Sequence, residues 1–352
     1  MWLARLERRS LPPIPGLGEK GGCHLFHPLR PRLARNDLGY DADSMDSSSS
    51  PRRRLPEWCR ERRGRPLAVA GTLLVASGLA HLAVWAAFGG PWEGPVTWRK
   101  PILFGISGGL TCWSLGWVWA ALPWRRGDGH LAWATAGALV VEVALIDLQR
   151  WRGAASHFNR DTPFDSVAYD VMTWLILGVT LVIGDLTVRS FVSAVRLPPD
   201  MLLAARAGLG LLAISCVLGI WAGAAGEARR AAGLPPETLG AAGVLKFPHG
   251  AALHALQWLP LLAWAARRAG VAIRGRVRCV AAAAAGNALF GCYAFAQTLL
   301  GRGRFDTTPL TAALLAVAVG MVVVPAAWIL ASMAGGRFRP ASAARPRGRR
   351  VP

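Results

Sequence analysis

Lysine is nearly missing from this chain. Of 40 strongly basic residues in 352, only Lys20, Lys100 and Lys246 are lysines, and arginine supplies the rest. A nucleic-acid binder with a net charge of +20 would gather its bases on one face. Here the arginines stand at the ends of apolar blocks, so the charge belongs to membrane topology and points away from nucleic acid. A chain rich in Ala, Arg and Gly that avoids lysine fits a GC-rich bacterial genome. Charge as a whole is sparse, at 17% of residues against about 25% in soluble domains. The six cysteines (Cys23, Cys59, Cys112, Cys216, Cys279 and Cys292) form no CxxC, no CxxCH and no regular spacing, which gives no sign of zinc, c-type haem or a disulfide framework. There is no P-loop, GxSxG, HExxH or dinucleotide glycine motif, so ATP-driven and soluble-enzyme classes are disfavoured.

What the chain does have is long apolar runs. Hydrophobic residues make up 53% of it. They come in blocks of about 20, the length that crosses a roughly 30 Å hydrocarbon core at 1.5 Å per residue. The runs are 67–89, 101–123, 130–150, 167–188, 202–224, 248–266, 279–300 and 308–334. They predict an all-α polytopic bundle of eight transmembrane helices whose surroundings are a lipid bilayer. Recurrent small residues, as in Gly105-Ile106-Ser107-Gly108-Gly109 and Gly208-Leu209-Gly210, suit close helix packing. Trp92, Trp98, Trp124 and Trp151 stand at run ends, where an amphipathic ring prefers the interface. Neither an inverted repeat nor a pair of broken helices is legible.

Residues 1–66 form a polar tail rich in Pro, Gly, Ser and Arg, including Ser47 to Ser50 followed by Pro51 and Arg52 to Arg54. Such a segment buries too little apolar surface to offset its ordering entropy and is expected to be disordered. It carries no signal-peptide pattern, and Met45 offers a shorter start that would make residues 1–44 an over-long reading. Residues 335–352 form a second, basic tail. Arg and Lys outside residues 1–44 divide 23 to 10 between alternate sides of the eight runs. The rule that positive loops stay inside predicts both termini in the cytoplasm of a bacterial plasma membrane.

That topology sorts the loops. The inner ones are short and basic, whereas the outer ones carry Gly94 to Pro101, Arg150 to Asp165, Lys246 to His249, and Gly301 to Asp306. Polar side chains within the runs also favour the outer half: His81, Glu142, Asp147, Gln149, Asp170, His249, His254 and Gln297, with Gln257 and Asn287 deeper. A carboxylate at a helix centre costs a few kcal/mol on insertion scales, so intramembrane acids mark functional positions by default. At 100° per residue Glu142 and Gln149 share a stripe, and Asp147 and Arg150 are three apart and able to pair. Two readings follow. Either Asp147–Arg150 is an interface ion pair and Glu142 a packing hydrogen bond, or Glu142 is a proton or cation site with Arg150 and Arg152 binding an anionic group. The candidate polar site is Glu142, Asp147, Gln149, Arg150, Arg152, Ser156, His157, Asn159, Lys246 and Gln257.

Histidines suggest a second chemistry. His249 and His254 are five apart, about 140° around a helix, so one metal ion does not easily take both. Each could instead ligate with His81 or His157 from another helix, as in bis-His haem or a transition-metal site within a bundle. The plain alternative is that each histidine bonds a neighbouring carboxylate or carbonyl.

The pattern Gln149-x-x-Arg152-Gly153-x-x-Ser156-His157-Phe158-Asn159, together with His254-Ala255-Leu256-Gln257-x-x-Pro260, resembles bacterial multi-pass membrane proteins of unassigned activity. The resemblance covers most of residues 67–334 and implies a shared fold without an activity. The order Ser156, His157, Asp165, His249, His254 is similar to that of membrane-embedded metal hydrolases of the alkaline ceramidase type. That family has Ser-x-x-x-His and a final His-x-x-x-His; here Ser156 and His157 are adjacent and the histidine pair is five apart. Three expectations therefore stand: a haem- or metal-binding redox or sensory protein, a proton-coupled carrier of a small anionic solute, and, after these, a metal-dependent hydrolase.

Overall fold

A computed structural model describes residues 56–335. Most of the two polar tails lies outside that range. The part of the N-terminal tail within it is ordered: a single 3-10 turn, Glu57–Cys59, leads into the first helix three residues earlier than the apolar run predicts. The reason is packing. Trp58 lies across Gly64, where its carbonyl leaves no room for a Cβ, and its ring reaches Gly116.

The eight runs become α1 (Gly64–Phe88), α2 (Arg99–Ala121), α3 (Asp128–Trp151), α4 (Pro163–Val192), α5 (Pro199–Ala231), α6 (Lys246–Leu253), α7 (Ala255–Arg268), α8 (Ile273–Leu299) and α9 (Pro309–Gly335). Seven of them, all but α6 and α7, are long and apolar enough to cross a membrane. The chain is thus an all-α, polytopic integral membrane protein. Large apolar side chains that would be anomalous in water, such as Trp174, Leu181, Val192, Leu310 and Val324, lie exposed on its surface, as lipid contact requires. The only sheet among the described residues is a two-stranded antiparallel ribbon, β1 (Thr238–Leu239) with β2 (Gly243–Val244), in the loop after α5.

Glycine sets the tightest contact. A Cβ at Gly105 would meet Gly78 N at 2.7 Å and Leu74 O at 2.8 Å, and one at Gly109 would meet Gly71 O at 2.6 Å. Small residues on facing stripes therefore let α1 and α2 touch backbone to backbone. From there α2 packs on α3, α3 on α4, and α4 on α5. The α5 helix receives α6, α7 and α8, and a contact from α7 to α2 closes the ring. A core of Leu67, Leu115, Trp119, Leu139, Val143, Leu186, Leu209, Leu212 and Leu256 fills it.

The sixth run departs from expectation, because it is two helices meeting at His254. No Gly or Pro stands at the junction, and Pro260 lies a turn and a half further on. The break is held from outside. The Ala251 carbonyl accepts from Asn287 Nδ2 of α8 at 2.8 Å, and the His249 carbonyl accepts from Ser215 Oγ of α5 at 2.8 Å. Carbonyls freed inside a bilayer need such donors, since neither lipid nor bulk water supplies them.

Candidate functional site

The end of α3 is built by local rules. Gly153 takes φ +70, Gly153 N donates to Arg150 O at 3.1 Å and Ala154 N to Gln149 O at 2.9 Å, which is the paired closure of a Schellman motif. The loop then turns into α4, where Thr162 caps the helix by accepting from Asp165 N at 3.1 Å and Pro163 fills the first turn. Asp165 clamps the two helices. Its carboxylate accepts from Gln149 Nε2 at 2.8 Å, Arg152 Nη1 at 2.9 Å and Thr162 Oγ1 at 2.7 Å. Arg152 also lies over the Phe164 ring. Gln149 and Arg152, expected in a ligand site, are therefore committed to this clamp.

Asn159 has a similar local task, donating to Ala155 O at 3.0 Å and accepting from Asp161 N at 3.0 Å. Phe158 adopts a left-handed φ of 57, which is rare for a bulky residue. Its ring occupies the dent over Gly226 and packs on Tyr169, contacts that hold the strained backbone. Ser156 and His157 bond each other at 2.9 Å between Oγ and Nδ1, and the His157 ring sits between Phe104 and Tyr169. Desolvation pulls the His157 pKa down to about 3, with Lys100 and Lys246 adding to the effect and Glu237 opposing it. The ring is uncharged at neutral pH. Asp165 is engaged elsewhere, so no Ser–His–Asp relay forms.

The expected Asp147–Arg150 pair does not form either. Asp147 Oδ2 accepts from Ser77 Oγ of α1 at 2.9 Å and lies 4.0 Å from His81 Nδ1, while Arg150 stacks over Trp98 with 4.0 Å from its guanidinium carbon to the ring centre. Partners on α1 and at the start of α2 outcompete the neighbour on the same helix. Lys246 is likewise held at the mouth, donating to Glu237 at 2.8 Å. Burial would raise the Glu237 carboxyl, but the Lys246 hydrogen bond and charge keep it below its usual range.

The four candidate ligand histidines go to different neighbours. His81 is bonded at both ring nitrogens, Nδ1 to Ser77 O at 2.9 Å and Nε2 to the Trp151 indole N–H at 3.1 Å, which sets the Nδ1-protonated tautomer. His157 bonds Ser156. His249 Nδ1 donates to Ser215 O at 2.8 Å. His254, at the break, lies 3.4 Å from Ser107 Oγ of α2. Among the described residues no three His, Cys, Asp or Glu side chains group as a metal site.

One level of the bundle differs from the rest. Ser107 meets His254, and Gln257 Nε2 of α7 donates to Thr111 Oγ1 of α2 at 3.3 Å, leaving Gln257 Oε1 buried without a partner. Val143 of α3 packs at Gly108 of α2, so its neighbour Glu142 stands level with this polar belt. Glu142 is 7% exposed and has no hydrogen bond or ion pair with any described residue. The other deeply buried acids are all tied. Asp128, fully buried, accepts from Arg189 at 2.9 and 3.0 Å, from Arg63 at 3.4 Å and from Arg125 N at 3.0 Å. Asp200, also fully buried, is gripped by Arg267 and by Arg276.

Sequence reading singled out Glu142, Gln257 and His254 but missed Ser107 and Thr111. Their signal was the spacing Lys100, Phe104, Ser107, Thr111, one stripe of α2. No protein-family model matches the chain, and neither the curated proteins nor the solved structures provide a match.

Proposed function

We propose that the protein is a proton-linked carrier of a small anionic solute in a bacterial plasma membrane, with both termini in the cytoplasm, and that Glu142 is its proton-binding group. The observation that carries this reading is the unpartnered Glu142 carboxylate. A structural acid within a membrane bundle is paired, as Asp128 and Asp200 are; an unpaired one is expensive and is retained for what it binds. A helix interrupted at the same level supports the reading, since carriers place their sites where a span is broken. The haem or metal reading has less support, because His81 has no free ring nitrogen and the remaining histidines bond separate neighbours. The test is proton movement in proteoliposomes with an entrapped pH dye under imposed anion gradients. Wild-type protein should couple the two fluxes, and Glu142→Gln should abolish the coupling while Glu142→Asp retains part of it. Unchanged coupling in Glu142→Gln would remove the proposal.

A further inference from the structure

A cavity of about 10 Å³ lies at the end of the bundle where α2 begins and α3 ends, with Thr97, Lys100, Arg150 and Ser156 among its walls and Ile146 on its apolar side. That volume, the space open to a particle's centre, admits one small particle. Its chemistry is lopsided. Thr97 is 1% exposed and its Oγ1 finds no partner among the described residues. Arg150 Nε is equally buried and equally unpartnered, and Arg150 makes no ion pair with any described acid. Lys100 donates to Pro95 O at 3.3 Å and likewise has no acid within ion-pair distance. The α2 N-terminus, preceded by Trp98, adds the positive end of a helix dipole. Two cations, an orphaned buried hydroxyl and a helix N-terminus thus surround a space that no carboxylate lines.

We infer that this cavity is a binding site for a monatomic anion of chloride size, with Thr97 Oγ1 and Arg150 Nε as donors and Lys100 supplying charge. A buried donor left unmade costs about 1–3 kcal/mol, and a halide satisfies two such donors at once where water, itself half donor, gains no charge term. Polyatomic anions exceed the space. Arg150 and Glu142 are eight residues apart on α3, roughly 12 Å along its axis at 1.5 Å per residue and about 80° around it. Proton and anion would therefore load on the same helix, about two turns apart. The role in transport rests on the carrier reading above; the occupancy of the site does not.

The experiment is thermal unfolding of the full-length protein in detergent, titrated with chloride against gluconate at constant ionic strength, with sulfate as the oversized control. Chloride and bromide should raise the midpoint saturably and sulfate should not. Thr97→Val and Arg150→Gln should weaken the apparent affinity about tenfold or more, the size of a lost hydrogen bond to a charged group. Thr97→Ser, which keeps the hydroxyl, should restore most of the affinity lost in Thr97→Val. If either disruptive variant fails to fold, Thr97→Ala and Lys100→Met in the same titration decide the matter. No saturable halide effect in the wild type, or the same effect in the Thr97 and Arg150 variants, means the cavity holds only water and overturns the site. Halide binding by the wild type without any coupled flux would sustain the site and remove the carrier; coupled flux without halide binding would do the reverse.

Discussion

The two ends of the third helix treat buried charge in opposite ways. At its start, Asp128 is enclosed by Arg63, Arg189 and the Arg125 amide, just as Asp200 at the start of α5 is enclosed by Arg267 and Arg276. In its middle and at its far end, Glu142 has no partner among the described residues and Arg150 has only the face of Trp98 among them. Burying an ion costs free energy that a partner offsets, and only the first arrangement supplies one. Where partners are supplied, a charge joins helices; where they are withheld, the proposed carrier would bind its ligands. The same contrast separates Asp165, clamped by Gln149, Arg152 and Thr162, from Thr97 beside it at the same end.

The comparison breaks hardest at the paired end. Asp128→Ala strands two arginines in the bundle and should cost about 3–5 kcal/mol, as removing one member of a buried ion pair does. Chemical or thermal unfolding in detergent measures it, and a loss under about 1 kcal/mol would mean that these arginines reach water unaided. Next is the glycine contact. Gly109→Val must part α1 from α2 where only 2.6 Å is available, and overpacking of that kind costs about 1–3 kcal/mol. Gly178→Ala, with open space around it, is the neutral control.

Glu142→Gln should lie at the other extreme. It removes an unpaired buried charge and severs no hydrogen bond, so stability should stay within about 1 kcal/mol of wild type while proton coupling disappears. A large loss of stability would instead reveal a partner and erase the distinction between the two regions.

A separate effect concerns pH. The folded-state pKa of His157 is about 3 and its ordinary value 6.5, so between them the unfolded chain binds a proton that the folded one refuses. Its contribution is therefore fully favourable above about pH 6.5 and is lost progressively as pH falls towards 3. His157→Phe should flatten that slope in a melting series from pH 7 to pH 4; an unchanged slope would assign it to other groups.

Some of this was legible without coordinates and some was not, and particular residues show why. The apolar runs marked the seven long helices because length and hydropathy are local properties that a bilayer reads directly. Glu142 stood out by the same logic, as a carboxylate where none is affordable. The i, i+3 spacing of Asp147 and Arg150 suggested a pair, and spacing along one helix does permit it. Ser77, His81 and Trp98 decided otherwise, and they arrive from α1 and α2 by rotations that no local pattern encodes. Arg152 looked like an anion ligand until α4 brought Asp165 to it.

The sequence by itself determined an all-α membrane bundle, its run boundaries to within about seven residues, and the anomalous acid at the centre of the third run. Only the tertiary structure decided which charges are neutralised, that the sixth run breaks at His254, and that Thr97, Lys100 and Arg150 share one small cavity. Hydrophobicity is summed along the chain, whereas pairing is a property of facing helices. The break likewise depends on Asn287 and Ser215, donors contributed by helices that are neighbours only after folding.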